Sequence, residues 1–235
     1  MSDPWDWGAP EPEIELLDLS DRAEPPPRVR GKRKQFVRGG RVVRRRPEDL
    51  RYLVVHQTAC TFGKRRYQPR RHYRALDVAC HELAFRDGVI VRAAPVDWWV
   101  FHGNEFNRHS VGLEIEGSYP GLMDDPETPR REDLATHWGD DARMTPVTDL
   151  VVATAQAALQ DLVERCYDFG AGDLVLVAHR QSSATRRSDP GEELWQRVVL
   201  DYGVDVLGLK TDPDLVLDDG RALPEAWDPC GSARY

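Results

Sequence analysis

Cysteine is scarce in this chain and scattered where it occurs. Cys60, Cys80, Cys166 and Cys230 form neither the close pairs of a zinc knuckle nor the dense set of a disulfide scaffold. Cys166 falls on the apolar side of a predicted helix and reads as packing. Long apolar runs are missing as well: no segment approaches the ~18 residues that a membrane-spanning helix needs. The opening Met1-Ser-Asp-Pro-Trp-Asp-Trp has no basic n-region and no apolar h-region, so no conventional secretory signal is expected. With 235 residues, the chain is long enough to bury one substantial core without covalent staples.

Positive charge is in deficit overall, with 32 Lys and Arg against 40 Asp and Glu for a net charge of −8, yet it is strongly segregated. Residues 1–27 are acidic and Pro-rich, whereas residues 28–46 carry ten Arg or Lys and no acid. Such blocks bury too little apolar surface to offset chain ordering, which predicts a mobile arm over 1–46. Its basic block, residues 28–46, either stays solvated or contacts an anionic polymer; with Phe36 as the one stacking aromatic of that block, specific nucleic-acid binding is not expected. Within the arm, Val37 to Val43 has the alternative of forming a small hairpin. The main domain is expected over 47–210, and a loop and hairpin tail over 211–235.

Inside that domain, Arg51 to His56 reads as a buried strand and Arg71 to Val78 as a short helix. Ala79 to Arg86 and Val89 to Arg92 read as strands joined at Asp87-Gly88, a pair suited to a tight turn. Val111 to Glu116 alternates, with Val111, Leu113 and Ile115 on one face and Gly112, Glu114 and Glu116 on the other. Thr145-Pro146 is the expected cap of a helix whose Val151, Ala155, Leu159, Leu162 and Cys166 recur at about 3.6-residue spacing. The aperiodic, acidic residues 117–144 are either a binding loop or lid, or surface decoration. A last helix is expected after Asp189-Pro190-Gly191, docked by Leu194, Trp195, Val198 and Val199.

Chemistry concentrates at three positions. His56 ends the apolar run Tyr52-Leu-Val-Val-His56, His179 ends Leu174-Val-Leu-Val-Ala-His179, and Asp189 follows in a loop. Two strand-end imidazoles and one carboxylate suit Zn2+, which takes mixed nitrogen and oxygen ligands and needs only three from a catalytic protein site. Hydrolysis is the reaction class this implies.

The ordered set Val54-Val-His56-Gln-Thr58-Ala59, Cys80-His81-Glu82, Arg86-Asp87-Gly88, Phe101-His102-Gly103, Ser110-Val-Gly-Leu-Glu114-Ile-Glu116-Gly117, Ala178-His179 and Ser188-Asp189-Pro190-Gly191 resembles the zinc-dependent N-acetylmuramoyl-L-alanine amidases. These are the type-2 amidases related to peptidoglycan recognition domains and phage T7-type lysozyme. The resemblance spans about residues 50 to 203 and implies an α/β fold: a mixed central sheet flanked by helices, with a peptide-binding groove over the metal. It implies His56, His179 and Asp189 as zinc ligands, with Asp in place of the Cys of some branches. Glu114 matches the proton acceptor of wall-recycling relatives, with a solvated or zinc-histidine-supporting Glu as the other reading and Glu116 as an alternative. Arg187 stands where relatives have Lys, placed either to meet a developing oxyanion or a substrate carboxylate. His81, His102 and Trp99 fall at groove positions, as substrate contacts or as packing. Cys80 replaces the Tyr of the T7-like branch. Thr58 is expected to cap backbone beside the first ligand.

The implied reaction is hydrolysis of the amide between the lactyl group of N-acetylmuramic acid and the L-alanine of the stem peptide. A non-catalytic peptidoglycan binder and a metalloamidase for another amide are the competing readings. Synthesis in the cytoplasm, with action at the wall or periplasm after phage lysis or specialised delivery, fits the missing signal; wall recycling needs the same bond chemistry.

Overall fold

The computed structural model describes residues 13–22, 37–38, 41–63, 70–119 and 145–228. Nine strands appear among them: β1 Glu15–Asp18, β2 Val37–Arg38, β3 Arg41–Val42, β4 Tyr52–Gln57, β5 Glu82–Ala84, β6 Val89–Arg92, β7 Ser110–Ile115, β8 Val175–Ala178 and β9 Lys210–Thr211. Seven of these form one sheet in the order β1-β6-β5-β7-β4-β8-β9. Every neighbouring pair in it is parallel except β5 and β6. That antiparallel pair turns at Asp87-Gly88, as predicted, and Gly88 supplies the positive φ of 88° that the turn requires. The architecture is the expected mixed sheet with flanking helices.

The alternation in β4 and β7 gives the sheet two chemically different faces. Leu53, Val55, Val111, Leu113 and Ile115 join Leu176 and Ala178 in the main core. Helix α1, Asp149–Asp168, covers that face with Val151, Ala155, Leu159, Leu162 and Cys166, all buried as its spacing predicts. Helix α2 begins at Glu192–Leu194, continues as a wide π-helical stretch over Trp195–Val204, and adds fully buried Leu194, Trp195, Val198 and Val199. Each such large apolar side chain contributes roughly 1.5–3 kcal/mol by leaving water. The opposite face carries Tyr52, Val54 and His56 beside Ser110, Gly112 and Glu114, because β4 and β7 pair Tyr52 with Ser110, Val54 with Gly112 and His56 with Glu114.

Three expectations need correction. The cap of α1 is Thr148, whose hydroxyl accepts from the Val151 N–H at 3.3 Å. Thr145 instead exchanges two hydrogen bonds with Ser118, closing the ends of the 117–144 connection. Nor is all of 1–46 a loose arm. Glu15–Asp18 pairs with β6 because its Leu17, together with Leu19, packs against a second apolar cluster around Leu83, Phe85 and Val91. Residues 41–46 run along residues 97–99, with the Arg45 N–H donating to Asp97 O at 2.6 Å and the Trp99 N–H to Val43 O at 3.1 Å; β2 and β3 make the small hairpin that was the alternative reading. The described tail residues show no hairpin: β9 adds to the sheet edge, and Leu215 and Leu217 then cross the second face against Val54, Phe106 and Val177.

Most of the expected lid, residues 120–144, lies outside the described residues, as do the acidic, Pro-rich residues 1–12 and the basic residues 28–36. No helix among the described residues is long and apolar enough to cross a membrane.

Candidate metal centre

His56, His179 and Asp189 come together at the C-terminal end of the central strands, all buried, each offering one ligand atom within 4.8 Å of the others. His56 is carried by β4. His179 leaves β8 into a 3-10 turn, His179–Ser182, that is held on three sides. Asn104 Nδ2 donates to Ser182 O at 2.9 Å, Ser182 Oγ donates to Gly103 O at 2.9 Å, and Gln181 Nε2 donates to Asp212 O at 2.7 Å. Asp189 arrives from the following loop. One carboxylate oxygen, Oδ1, accepts the Gln57 N–H at 2.8 Å, which turns Oδ2 toward His179. Gln57 fastens both flanks of this loop, donating through Nε2 to Tyr119 O and Ser188 O and accepting the Tyr119 N–H.

The inward atoms are His56 Nδ1, His179 Nδ1 and Asp189 Oδ2, with the two imidazole nitrogens 3.0 Å apart and His179 Nδ1 3.0 Å from Asp189 Oδ2. A hydrogen-bond chain sets the tautomer of His56. Ser110 Oγ donates to Phe106 O at 2.7 Å, leaving the Ser110 oxygens as acceptors for His102 Nε2–H. His102 Nδ1 is then a lone pair and accepts from His56 Nε2–H across 3.0 Å. His56 Nδ1 therefore faces the cluster without a proton. Burial first, then the charges of His179, His102 and Arg186, hold His56 well below the usual imidazole range; burial and Arg45 hold His102 down to about 3. Both rings are neutral, the form that ligates metals.

This donor set fits zinc. Two donors at ordinary Zn–N distance on a tetrahedral ion sit ~3.3 Å apart, close to the spacing observed, and the N, N, O chemistry is that of a catalytic site with one corner left for water or substrate. His56 Nδ1 and the Asp189 carboxylate are both acceptors aimed at His179 Nδ1, and a cation can serve as common partner of all three.

The remaining predicted residues divide. Glu114 pairs with His56 across β4 and β7 and emerges on the same face, one strand spacing of about 4.8 Å away. Glu116 is fully buried and committed: Oε1 accepts from Arg71 Nη1 at 2.6 Å and the Phe62 N–H at 2.7 Å, while Oε2 accepts the Arg86 N–H at 3.2 Å. Arg187 is exposed two residues before Asp189, with its carbonyl anchored by Arg180 at 2.7 Å. Thr58 caps as expected, its hydroxyl donating to Cys60 O at 2.6 Å and accepting the Gly117 N–H at 3.0 Å.

Two expected substrate contacts lie largely beneath the surface. His81 has no exposed surface and accepts the Gly112 N–H at 3.0 Å. His102 lies behind His56 as its hydrogen-bond partner, with 7% of its surface exposed. Trp99 is half-buried against the β3 segment through its backbone, and Phe101 beside it is exposed. Cys80 packs into the cluster of Leu83 and Phe85.

Sequence reasoning missed three residues. Gln57 positions Asp189, and a polar residue at the end of an apolar strand was its only signal. Gly112 makes room for His102, since a Cβ there would stand 2.5 Å from Nδ1; a glycine inside a β-rich run signals such close approach. Arg45 was hidden in a basic run.

The family model for N-acetylmuramoyl-L-alanine amidase matches residues 46–192, more than half of the chain. Among solved structures, the amidase LysC from Clostridium intestinale URNW is similar at 13% identity and a TM-score of 0.44, over 84% of this chain and 100% of that one. The Ph2119 endolysin of the Thermus scotoductus MAT2119 bacteriophage Ph2119 is similar at 20% identity and a TM-score of 0.44, over 79% and 97%. The ectodomain complex of peptidoglycan recognition proteins LCa and LCx, bound to tracheal cytotoxin, gives 16% identity and a TM-score of 0.46, over 80% and 96%. Comparison with curated proteins finds no match. On the extent of the family match, the chain belongs to the N-acetylmuramoyl-L-alanine amidase family and is an amidase.

Proposed function

We propose that this amidase hydrolyses the amide joining the lactyl group of N-acetylmuramic acid to L-alanine of the peptidoglycan stem peptide, with one Zn2+ held by His56, His179 and Asp189. The observation that carries the reading is the convergence of these three buried side chains, with His56 Nδ1 presented as a lone pair. Zinc, when bound, supplies a Lewis acid and lowers the pKa of water toward about 7.

The protein supplies the rest. Glu114, on the His56 face of the sheet, takes the proton of the attacking water and returns it to the departing alanine nitrogen. Arg187, permanently charged and unable to give up a proton, meets the negative charge that develops on the carbonyl oxygen. Gln57 and His102 do not touch substrate; they keep Asp189 and His56 aimed, which limits the reorganisation needed during reaction. Exposed Phe101 and its neighbour Trp99 offer apolar surface to the muramyl or stem-peptide part. The site of action is the cell wall, reached after release or specialised delivery.

The test is incubation of the full chain with intact peptidoglycan and with soluble muropeptides, with and without chelator and with zinc restored, followed by mass analysis. The expected products are stem peptide with a free L-alanine amino group and glycan with its lactyl carboxylate intact, both lost on chelation and regained with zinc. Glycan cleavage alone, or release indifferent to chelator, contradicts the proposal.

A further inference from the structure

Arg45 is a buried cation without an ion pair among the described residues. Its Nη1 donates to the carbonyls of Ser110 and, at 3.3 Å, Asn107. Its Nη2 donates to the carbonyls of Trp98 and, at 3.2 Å, Val96, and lies 2.8 Å from His81 Nε2. Burial pushes its pKa down to about 10 despite Cys166, Asp97 and Asp49, so it remains charged near neutrality. Burying a guanidinium among neutral acceptors is an expensive way to fill space, and an apolar side chain serves stability as well. What the planar fork adds is direction, because its donors are fixed relative to one another.

Those directions meet at the seat of His102. Ser110 and Gly112 are same-face neighbours on β7: the Ser110 carbonyl accepts both Arg45 Nη1 and His102 Nε2, and Gly112 is the position against which the His102 ring is pressed. Gly112 N–H in turn donates to Nδ1 of His81, which leaves His81 Nε2–H to donate at 3.0 Å to the Trp98 carbonyl that Arg45 Nη2 also grips. Arg45 thus grips the acceptor side of the seat directly, and on the Gly112 side it shares the Trp98 carbonyl with His81. We infer that Arg45 is a positioning residue for the metal centre, acting through the Ser110 and Trp98 carbonyls and His102 to fix the orientation of the His56 imidazole. This rests on the zinc reading above. It also gives residues 41–46 a role: the segment running beside residues 97–99 delivers the guanidinium beneath the site.

The test compares zinc dissociation constants of the full-length wild type, R45M and R45K, measured by competition with a chromophoric chelator, alongside 15N histidine spectra of each metal-free protein. V198A, a core variant of α2 remote from the relay, controls for general destabilisation. R45M is expected to bind zinc about 10-fold more weakly or worse, the range for lost outer-shell support, and to lose the single Nε2–H signal of His102. R45K, retaining charge but not the fork, falls between R45M and wild type, and it carries the comparison if R45M does not fold. V198A keeps wild-type affinity. Unchanged affinity in R45M, or in R45K where that variant alone folds, overturns the inference, as does an equal loss in V198A. A wild type that binds no zinc overturns the metal reading itself, and this inference with it.

Discussion

The Gln57 N–H donates to Asp189 Oδ1 at 2.8 Å, so the residue after one proposed metal ligand aims another that lies 132 positions later. The donor is backbone of β4, and the sheet itself holds the carboxylate. Asp189→Asn keeps an acceptor for Gln57 but removes the anion from the cluster. It is expected to fold with a thermal midpoint near wild type and to lose zinc affinity by more than about 100-fold, beyond the loss of an outer-shell partner. Calorimetric titration of the metal-free protein checks this; retained affinity would remove Asp189 from the ligand set.

Gly112 and His102 make a paired prediction. A methyl at Gly112 occupies the place of the His102 ring, so Gly112→Ala and His102→Ala break the same link to His56 by opposite means. Each is expected to weaken zinc binding by roughly 10–100-fold, and the double variant by little more than either single, because the two act on one contact. Additive losses in chelator competition would show that the relay is not the shared cause.

Glu114 and Glu116 separate by their partners. Glu116→Ala leaves the partly buried Arg71 and the Phe62 and Arg86 N–H groups short of an acceptor, and is expected to cost about 2–3 kcal/mol in urea unfolding. Glu114→Ala is expected to leave zinc binding and fold intact while lowering kcat on muropeptides by about 10²–10⁴-fold. Full turnover in Glu114→Ala ends its proposed role as proton acceptor.

Glu82 gives the fold a pH dependence distant from the site. It is fully buried on β5, receiving Arg165 Nη1 at 2.9 Å. Burial, then the charge of Asp161, raises its pKa well above the usual carboxyl range, more than Arg165 lowers it. Asp161 is held low despite its own burial, by Arg92 and by hydrogen bonding with Glu82. A carboxyl raised in the folded state stabilises fully below its unfolded pKa of about 4.3, and this contribution is lost as pH rises through the folded value. Glu82→Gln, permanently neutral, is expected to flatten the decline in stability above that point and to exceed wild type in urea midpoint at pH 8. Parallel pH slopes for the two proteins contradict the assignment.

Local patterns carried much of the fold. Alternation in Val111, Leu113 and Ile115 announced a strand with one core face, and the spacing from Val151 to Cys166 announced α1, because burial on one side leaves a period in the sequence. The two strand-end histidines were legible for the same reason: each interrupts an apolar run at its end. Long-range partnership was not. Nothing near Arg45 distinguishes it from Arg44 or Arg46 in the sequence, yet Arg45 is buried while its neighbours are exposed, since only the pairing of residues 43–45 with residues 97–99 turns that one side chain inward. His81 and His102 stand at expected positions in the chain but act beneath the surface, a distinction that depends on which face of which strand covers them. The Thr145 cap failed because Ser118, 27 residues earlier, offered that side chain a better partner.

The most direct test of the metal centre is an anomalous-diffraction crystal structure of the full chain with zinc. The account predicts one ion roughly 2.0–2.2 Å from His56 Nδ1, His179 Nδ1 and Asp189 Oδ2, with His102 Nδ1 still bonded to His56 Nε2. An ion bound through His56 Nε2, or bound elsewhere with these three side chains left apart, would contradict it.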